Sequence, residues 1–156
     1  MLIRTACEQD IPRINDLLYQ VLMVHHNGRP DIFRPNVKKY TDEELIWIMK
    51  DPMRPIFVAI DEEGVLQGYA FCIFEDHKGS HVLTPIKSLY IDDLCVDETK
   101  RGMHIGKQLY DYVVDFARAS GCYNVTLNVW SCNTNAMKFY ENIGLVPQKV
   151  GMEQIL

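Results

Sequence analysis

Two adjacent carboxylates, Asp92 and Asp93, stand in the middle of an otherwise apolar run, Leu89-Tyr90-Ile91-Asp92-Asp93-Leu94-Cys95-Val96. Ionised groups are costly in such a run unless each is hydrogen-bonded or opens onto a cleft. The pair is therefore suited to capping a loop or to attracting a cation. A few residues later, Lys100-Arg101-Gly102-Met103-His104-Ile105-Gly106-Lys107 forms a basic, glycine-bearing segment that leads into helical periodicity. Such a loop aims backbone N–H groups and the positive end of a helix dipole at one spot, where an anion is held with few side chains. The combination points to a phosphate-bearing ligand.

The elements that position these residues follow from hydrophobic periodicity and turn chemistry. Leu2 to Thr5 reads as a short strand. Glu8-Gln9-Asp10 opens a helix with Ile11, Ile14, Leu17, Leu18, Val21 and Leu22 at helical spacing, ending near His25-His26-Asn27-Gly28. After an irregular, proline-bearing loop, Thr41-Asp42-Glu43-Glu44 starts a second helix. Ile56 to Ile60 and Val65 to Phe74 form a hairpin around Asp61-Glu62-Glu63-Gly64, with Gly68 marking a bulge or a close approach. Ile86 to Val96 is the next strand, and His104 to Ser120 a helix stopped by Gly121. Val125 to Trp130 is a strand, Asn135 to Ile143 a helix, and Pro147 to Ile155 a last strand. The order β-α-α-β-β-β-α-β-α-β predicts one α/β domain over residues 1–156, with a mixed, mostly antiparallel sheet and about four helices.

Composition narrows the function classes. A chain of 156 residues with 47% hydrophobic and 24% charged residues can bury a proper core as one domain. A net charge of −5 argues against a nucleic-acid partner, which would demand a basic face. Five cysteines occur without any C-x-x-C pair, so neither a zinc site nor a disulfide framework is indicated, and reduced thiols in a cytoplasmic protein are expected. Met1-Leu2-Ile3-Arg4 shows no leader, and no apolar run approaches bilayer-spanning length, so no membrane association is expected. A P-loop and a dinucleotide fingerprint are both missing.

What is present is Arg101-x-x-x-x-Gly106 after Val96, then Asn133-x-x-Ala136-x-x-Phe139-Tyr140-Glu141-Asn142-Ile143-Gly144-Leu145. This combination resembles the GNAT family of acetyl-CoA-dependent N-acetyltransferases, whose loop is written Q/R-x-x-G-x-G/A and whose later helix reads N-x-x-A-x-x-F/L-Y-x-x-x-G-F. The order of elements agrees along nearly the whole chain. One departure stands out: His104 occupies the place of the usual first glycine, where a β-carbon narrows the available backbone geometry.

The resemblance implies acetyl-CoA as co-substrate without a metal, its pyrophosphate on the amides of Arg101, Gly102, Met103, His104, Ile105 and Gly106. Arg101 and Lys107 would add charge, and Asn133 would bond the cofactor arm or cap its helix. Backbone groups of Leu94 and Val96 would pair with the pantetheine arm. Tyr140 matches the family tyrosine that protonates the departing thiolate. Asp92 matches the acid that takes the proton of the substrate ammonium, with Asp93 or a water chain as its alternatives. The other reading of Asp92 is a loop cap or a lure for a cation. On an unbroken pleat Tyr90, Asp92, Leu94 and Val96 share one face, and Ile91, Asp93 and Cys95 the other, unless a bulge re-aims one of them. The acceptor, a small-molecule amine or a peptide amino group, would meet the loop from His25 to Phe33 and the loop from Glu75 to His81. A histidine pair at a helix end also serves as a favourable C-terminal charge. Direct attack in a ternary complex is the implied reaction, and dimers are frequent in the family. A non-catalytic acyl-CoA sensor on the same fold is the alternative function, and an anion-binding interaction domain a weaker one.

Overall fold

The computed structural model describes residues 1–156. In chain order the elements are β1 (Leu2–Thr5), α1 (Ile11–Gly28), α2 (Asp42–Lys50), β2 (Ile56–Ile60), β3 (Leu66–Asp76), β4 (Lys87–Val96), α3 (Ile105–Ala119), β5 (Asn124–Leu127) and α4 (Thr134–Asn142). Short 3₁₀ turns precede α1 at Glu8–Asp10 and follow β4 at Glu98–Lys100. The sheet runs β1-β2-β3-β4-β5, with every neighbouring pair antiparallel except β4 and β5, which α3 connects in parallel. No helix is long and apolar enough to cross a membrane.

The sheet is covered on both faces, which is why β2 is buried along its whole length. Alternation sends Ile56, Val58 and Ile60 toward Ile14, Leu17, Leu45 and Ile48 of α1 and α2. Phe57 and Ala59 point the other way, toward Ile105, Leu109, Val113 and Ala117, which recur every fourth residue along α3. Helix α2 begins in a reciprocal cap. Thr41 accepts from the Glu44 amide at 3.1 Å, and the Glu44 carboxylate accepts from the Thr41 amide at 2.7 Å. Gly68 is a close approach: a β-carbon there would lie 2.7 Å from the Cys95 carbonyl oxygen, so only glycine lets β3 meet the end of β4.

One open alternative is decided and two expectations need correction. First, β4 carries a bulge: Phe71 pairs with Asp93 but Cys72 pairs with Ile91, so Asp92 is the extra residue. The alternation therefore breaks at this point. Ile91 packs with Leu94 and Val96 against α3, while Cys95 lies in the α1 core, and Asp92 and Asp93 both reach the same lysine. Second, β5 ends at Leu127 rather than Trp130. Third, residues 147–155 form no strand. Val146, Val150 and Met152 are exposed at 82%, 74% and 88%, and Pro147 and Gly151 remove the donor and side chain that pairing would use.

Candidate active site

The early end of β5 opens the sheet. Pairing between β4 and β5 stops at Ile91 with Leu127, while β4 continues to Val96. Past Leu127 the chain turns away, held by the Asn128 amide nitrogen donating to the Tyr90 hydroxyl at 3.2 Å and the Asn133 backbone N–H donating to the Trp130 carbonyl at 2.8 Å. Leu94 and Val96 thus lie on a strand edge with no neighbour on the β5 side. Such an edge offers backbone donors and acceptors to an extended ligand.

At the far end of that edge sits the glycine-bearing loop. The backbone amides of Gly102, Met103, His104, Ile105, Gly106 and Lys107 donate to no acceptor within the chain, and the first helical carbonyl taken up is that of His104, by the Gln108 amide at 3.0 Å. These are the orphan donors of a helix start, gathered at one point. The turn is braced from below by Asp97. This buried carboxylate accepts from the Thr99 hydroxyl at 2.6 Å and the Thr99 amide at 2.8 Å, and it pairs with Arg13 of α1. The Thr99 hydroxyl, with its amide and Arg13, holds the Asp97 carboxyl down at about 2.

The loop residues differ in what they offer. Arg101 is exposed and makes no ion pair within the chain, so its guanidinium is free for an anion, whereas the Lys107 ammonium is committed to Asp111 at 2.6 Å. Gly106 permits packing as well as an amide: a β-carbon there would sit 3.2 Å from the Phe139 ring and 3.5 Å from Val96. His104 has φ of 60°, in the left-handed region, and caps α3 without a side-chain hydrogen bond. This is the conformation that favours glycine, although histidine tolerates it better than most residues do. His104→Gly should therefore keep or raise the melting temperature, while the β-branched His104→Val should lower it, as thermal unfolding would measure.

Where the strands part, charge is concentrated. Lys39, from the connection between α1 and α2, places its ammonium 3.6 Å from Asp92 and 3.3 Å from Asp93. The Asp92 side chain is 29% exposed and the Asp93 side chain 8%. Burial pushes the Asp93 carboxyl above the usual carboxylate range, and Lys39 only partly opposes it. The buried Tyr69 hydroxyl faces Asp93 without a hydrogen bond of ordinary geometry. Tyr140, on α4, is half-buried, and burial followed by the charge of Asp93 pushes its hydroxyl well above the ordinary phenol range. It is a proton donor at neutral pH. Cys95 is buried, its thiol pushed up to about 12 by burial and then by Asp93, and it lies 3.6 Å from the Leu17 carbonyl. That environment suits packing rather than nucleophilic attack. Asn133 caps α4 by accepting from the Ala136 amide at 3.2 Å.

One wall of the fork is aromatic. The His25 and Phe33 rings lie 5.0 Å apart, and Phe33 meets Trp130 edge-on at 5.2 Å. The backbone is drawn in here as well, since a β-carbon on Gly28 would lie 2.7 Å from Cys132 Sγ. His26 Nδ1 lies 2.7 Å from the Phe33 carbonyl. Burial lowers the His25 pKa, which favours the neutral ring within this aromatic stack. In the loop beyond Asp76, Glu75 and Asp76 are still paired with Ser88 and Lys87, and residues 77–86 bond only locally. Lys39, Trp130, Asn128 and Tyr69 enter the site with no local motif to announce them.

A mixed sheet forked between parallel strands, with unpaired amides at the end of the fork, is the architecture of an acyl-CoA-dependent N-acyltransferase. The chain belongs to the acetyltransferase (GNAT) family, whose model matches residues 23–145. It is 31% identical over 68 residues to glucosamine 6-phosphate N-acetyltransferase of Arabidopsis thaliana, covering 44% of each chain. Across such curated relatives, from Arabidopsis and rice, the matched region spans between 36% and 59% of their length. Among solved structures, a mutant of the BH1408 protein of Bacillus halodurans superposes with a TM-score of 0.96 at 30% identity, over 100% of this chain and 99% of that one. The crystal structure of the Arabidopsis glucosamine-6-phosphate N-acetyltransferase shares the fold with a TM-score of 0.73 at 22% identity, over 99% and 97%. GNAT acetyltransferases use acetyl-CoA and act on amines.

Proposed function

We propose that the protein transfers the acetyl group of acetyl-CoA to a primary amine by direct attack in a ternary complex. The observation that carries this reading is the fork itself: an unpaired stretch of β4 runs from the Asp92–Asp93 pair to a cluster of amides without acceptors. The residues present fit the co-substrate. The amides from Gly102 to Lys107 and the free Arg101 guanidinium would hold its pyrophosphate, and the Leu94 and Val96 backbone would align its arm. The Asn133 side-chain nitrogen, left over from capping, would assist. When bound, acetyl-CoA supplies an activated acetyl thioester.

The chain's own groups do the rest. Asp92, the more exposed of the two carboxylates, takes the proton from the acceptor ammonium, because only the neutral amine has a lone pair to attack with. The Leu94 amide stabilises the negative charge that grows on the carbonyl oxygen. Tyr140 delivers its proton to the departing sulfur and is kept protonated for that purpose by burial and by Asp93. His25, Phe33 and Trp130 form an apolar wall against which the body of the acceptor packs. Thiol release from acetyl-CoA that depends on an added amine tests this function, and glucosamine 6-phosphate, polyamines, amino acids and peptide amino termini make up the acceptor panel.

A further inference from the structure

The acceptor side already contains one primary amine. Lys39 sits where β4 and β5 separate, within 3.6 Å of Asp92 and 3.3 Å of Asp93. We propose that Lys39 is an internal acceptor, a lysine that the protein acetylates on itself when no outside amine occupies the site. The proposal rests on the acetyl-transfer reading and adds a modification site to it.

The placement is specific to this lysine. Its neighbour Tyr40 is anchored by stacking on Phe71 with ring centroids 6.1 Å apart, which fixes the backbone from which Lys39 reaches the fork. Lys38, one residue earlier, turns away to Asp42 at 2.6 Å on the exposed surface of α2. Lys78 and Lys107 pair with Asp76 and Asp111 on their own segments, and the Lys87 ammonium lies 4.1 Å from the Phe74 ring centroid. Only Lys39 shares the carboxylates proposed to serve the substrate.

The chemistry balances with acetyl-CoA as the sole co-reactant. Asp92 accepts one proton from the Lys39 ammonium and later passes it to solvent. The nitrogen lone pair forms a bond to the acetyl carbon while the carbon–sulfur bond breaks. The thiolate takes the Tyr140 proton, and the second proton lost by the nitrogen restores Tyr140. The products are Nε-acetyl-Lys39, coenzyme A thiol and one proton. Because an outside amine and Lys39 compete for the same carboxylates, acceptor binding must displace the lysine and protect it.

Incubating the full chain with acetyl-CoA and no amine, followed by intact mass and peptide mapping, tests the proposal. The expected result is one acetyl group on Lys39, missing in Lys39→Arg, slowed by about tenfold or more in Tyr140→Phe, and suppressed by an amine that supports thiol release. Thiol release with an added amine while Lys39 stays unmodified would overturn the proposal and leave the acetyl-transfer reading standing. Acetylation spread equally over exposed lysines such as Lys78 and Lys138 would overturn it too, as untargeted chemistry. No thiol release with any amine, together with an unmodified Lys39, would overturn both.

Discussion

Tyr140→Phe is expected to lower turnover by about 100-fold or more while leaving coenzyme A binding nearly unchanged. The phenol is held protonated beside the fork: burial first, then the neighbouring Asp93 and Cys95, oppose its ionisation. General acid catalysis contributes about 10²–10⁴-fold, and loss of the hydroxyl forces the sulfur to leave as a bare thiolate. Phenylalanine keeps the edge-on contact with Phe139, whose ring lies 5.2 Å from that of Tyr140, so α4 should hold its place. The split is the diagnostic feature, with kcat reduced and calorimetric affinity for coenzyme A preserved. Unchanged turnover would remove Tyr140 from the acid role.

Asp92→Asn is expected to lower kcat/KM by about 100-fold near neutral pH, with the deficit shrinking as pH rises. The sign follows from the acceptor. Below its own pKa an alkylamine is an ammonium and needs a base, whereas above it the amine arrives neutral. A carboxamide accepts no proton, so the variant depends on the neutral fraction already in solution, and that fraction grows with pH. A pH–rate profile of the variant against the native protein gives the answer, with an equal deficit at all pH values as the contrary outcome. Asp92 stands on a bulge beside a lysine, where the loss of one carboxylate leaves Lys39 paired with Asp93.

Much of this architecture is legible in the residues, because helices and buried strands advertise themselves by period. The strand over Leu2 to Thr5, the helix that Gly121 stops and the Thr41–Glu44 cap all appear as read. The loop was legible too, down to its irregularity: His104 stands where a positive φ makes glycine the natural choice. The bulge at Asp92 was legible only as an alternative to an unbroken pleat, because the choice is made by the register of β3, a strand met earlier in the chain. That choice puts Asp92 and Asp93 together over Lys39, an arrangement that strict alternation forbids. Lys39 and Trp130 come from loops distant in sequence, and no local spacing signals their approach. The tail illustrates the opposite failure. Its apolar residues fit a strand pattern, but a pattern specifies a face to bury and no partner to bury it on, and Val146, Val150 and Met152 remain exposed.

If the forked strand, the free amides and the Asp92–Tyr140 pair together perform acetyl transfer to an amine, the most direct measurement is coenzyme A thiol release from acetyl-CoA, followed continuously across the amine panel with the acetylated product identified by mass. Release that requires one class of amine, with stoichiometric N-acetyl product, is the predicted result. Tight coenzyme A binding with no release by any amine would contradict it and mark the protein as an acyl-CoA sensor built on the same fold.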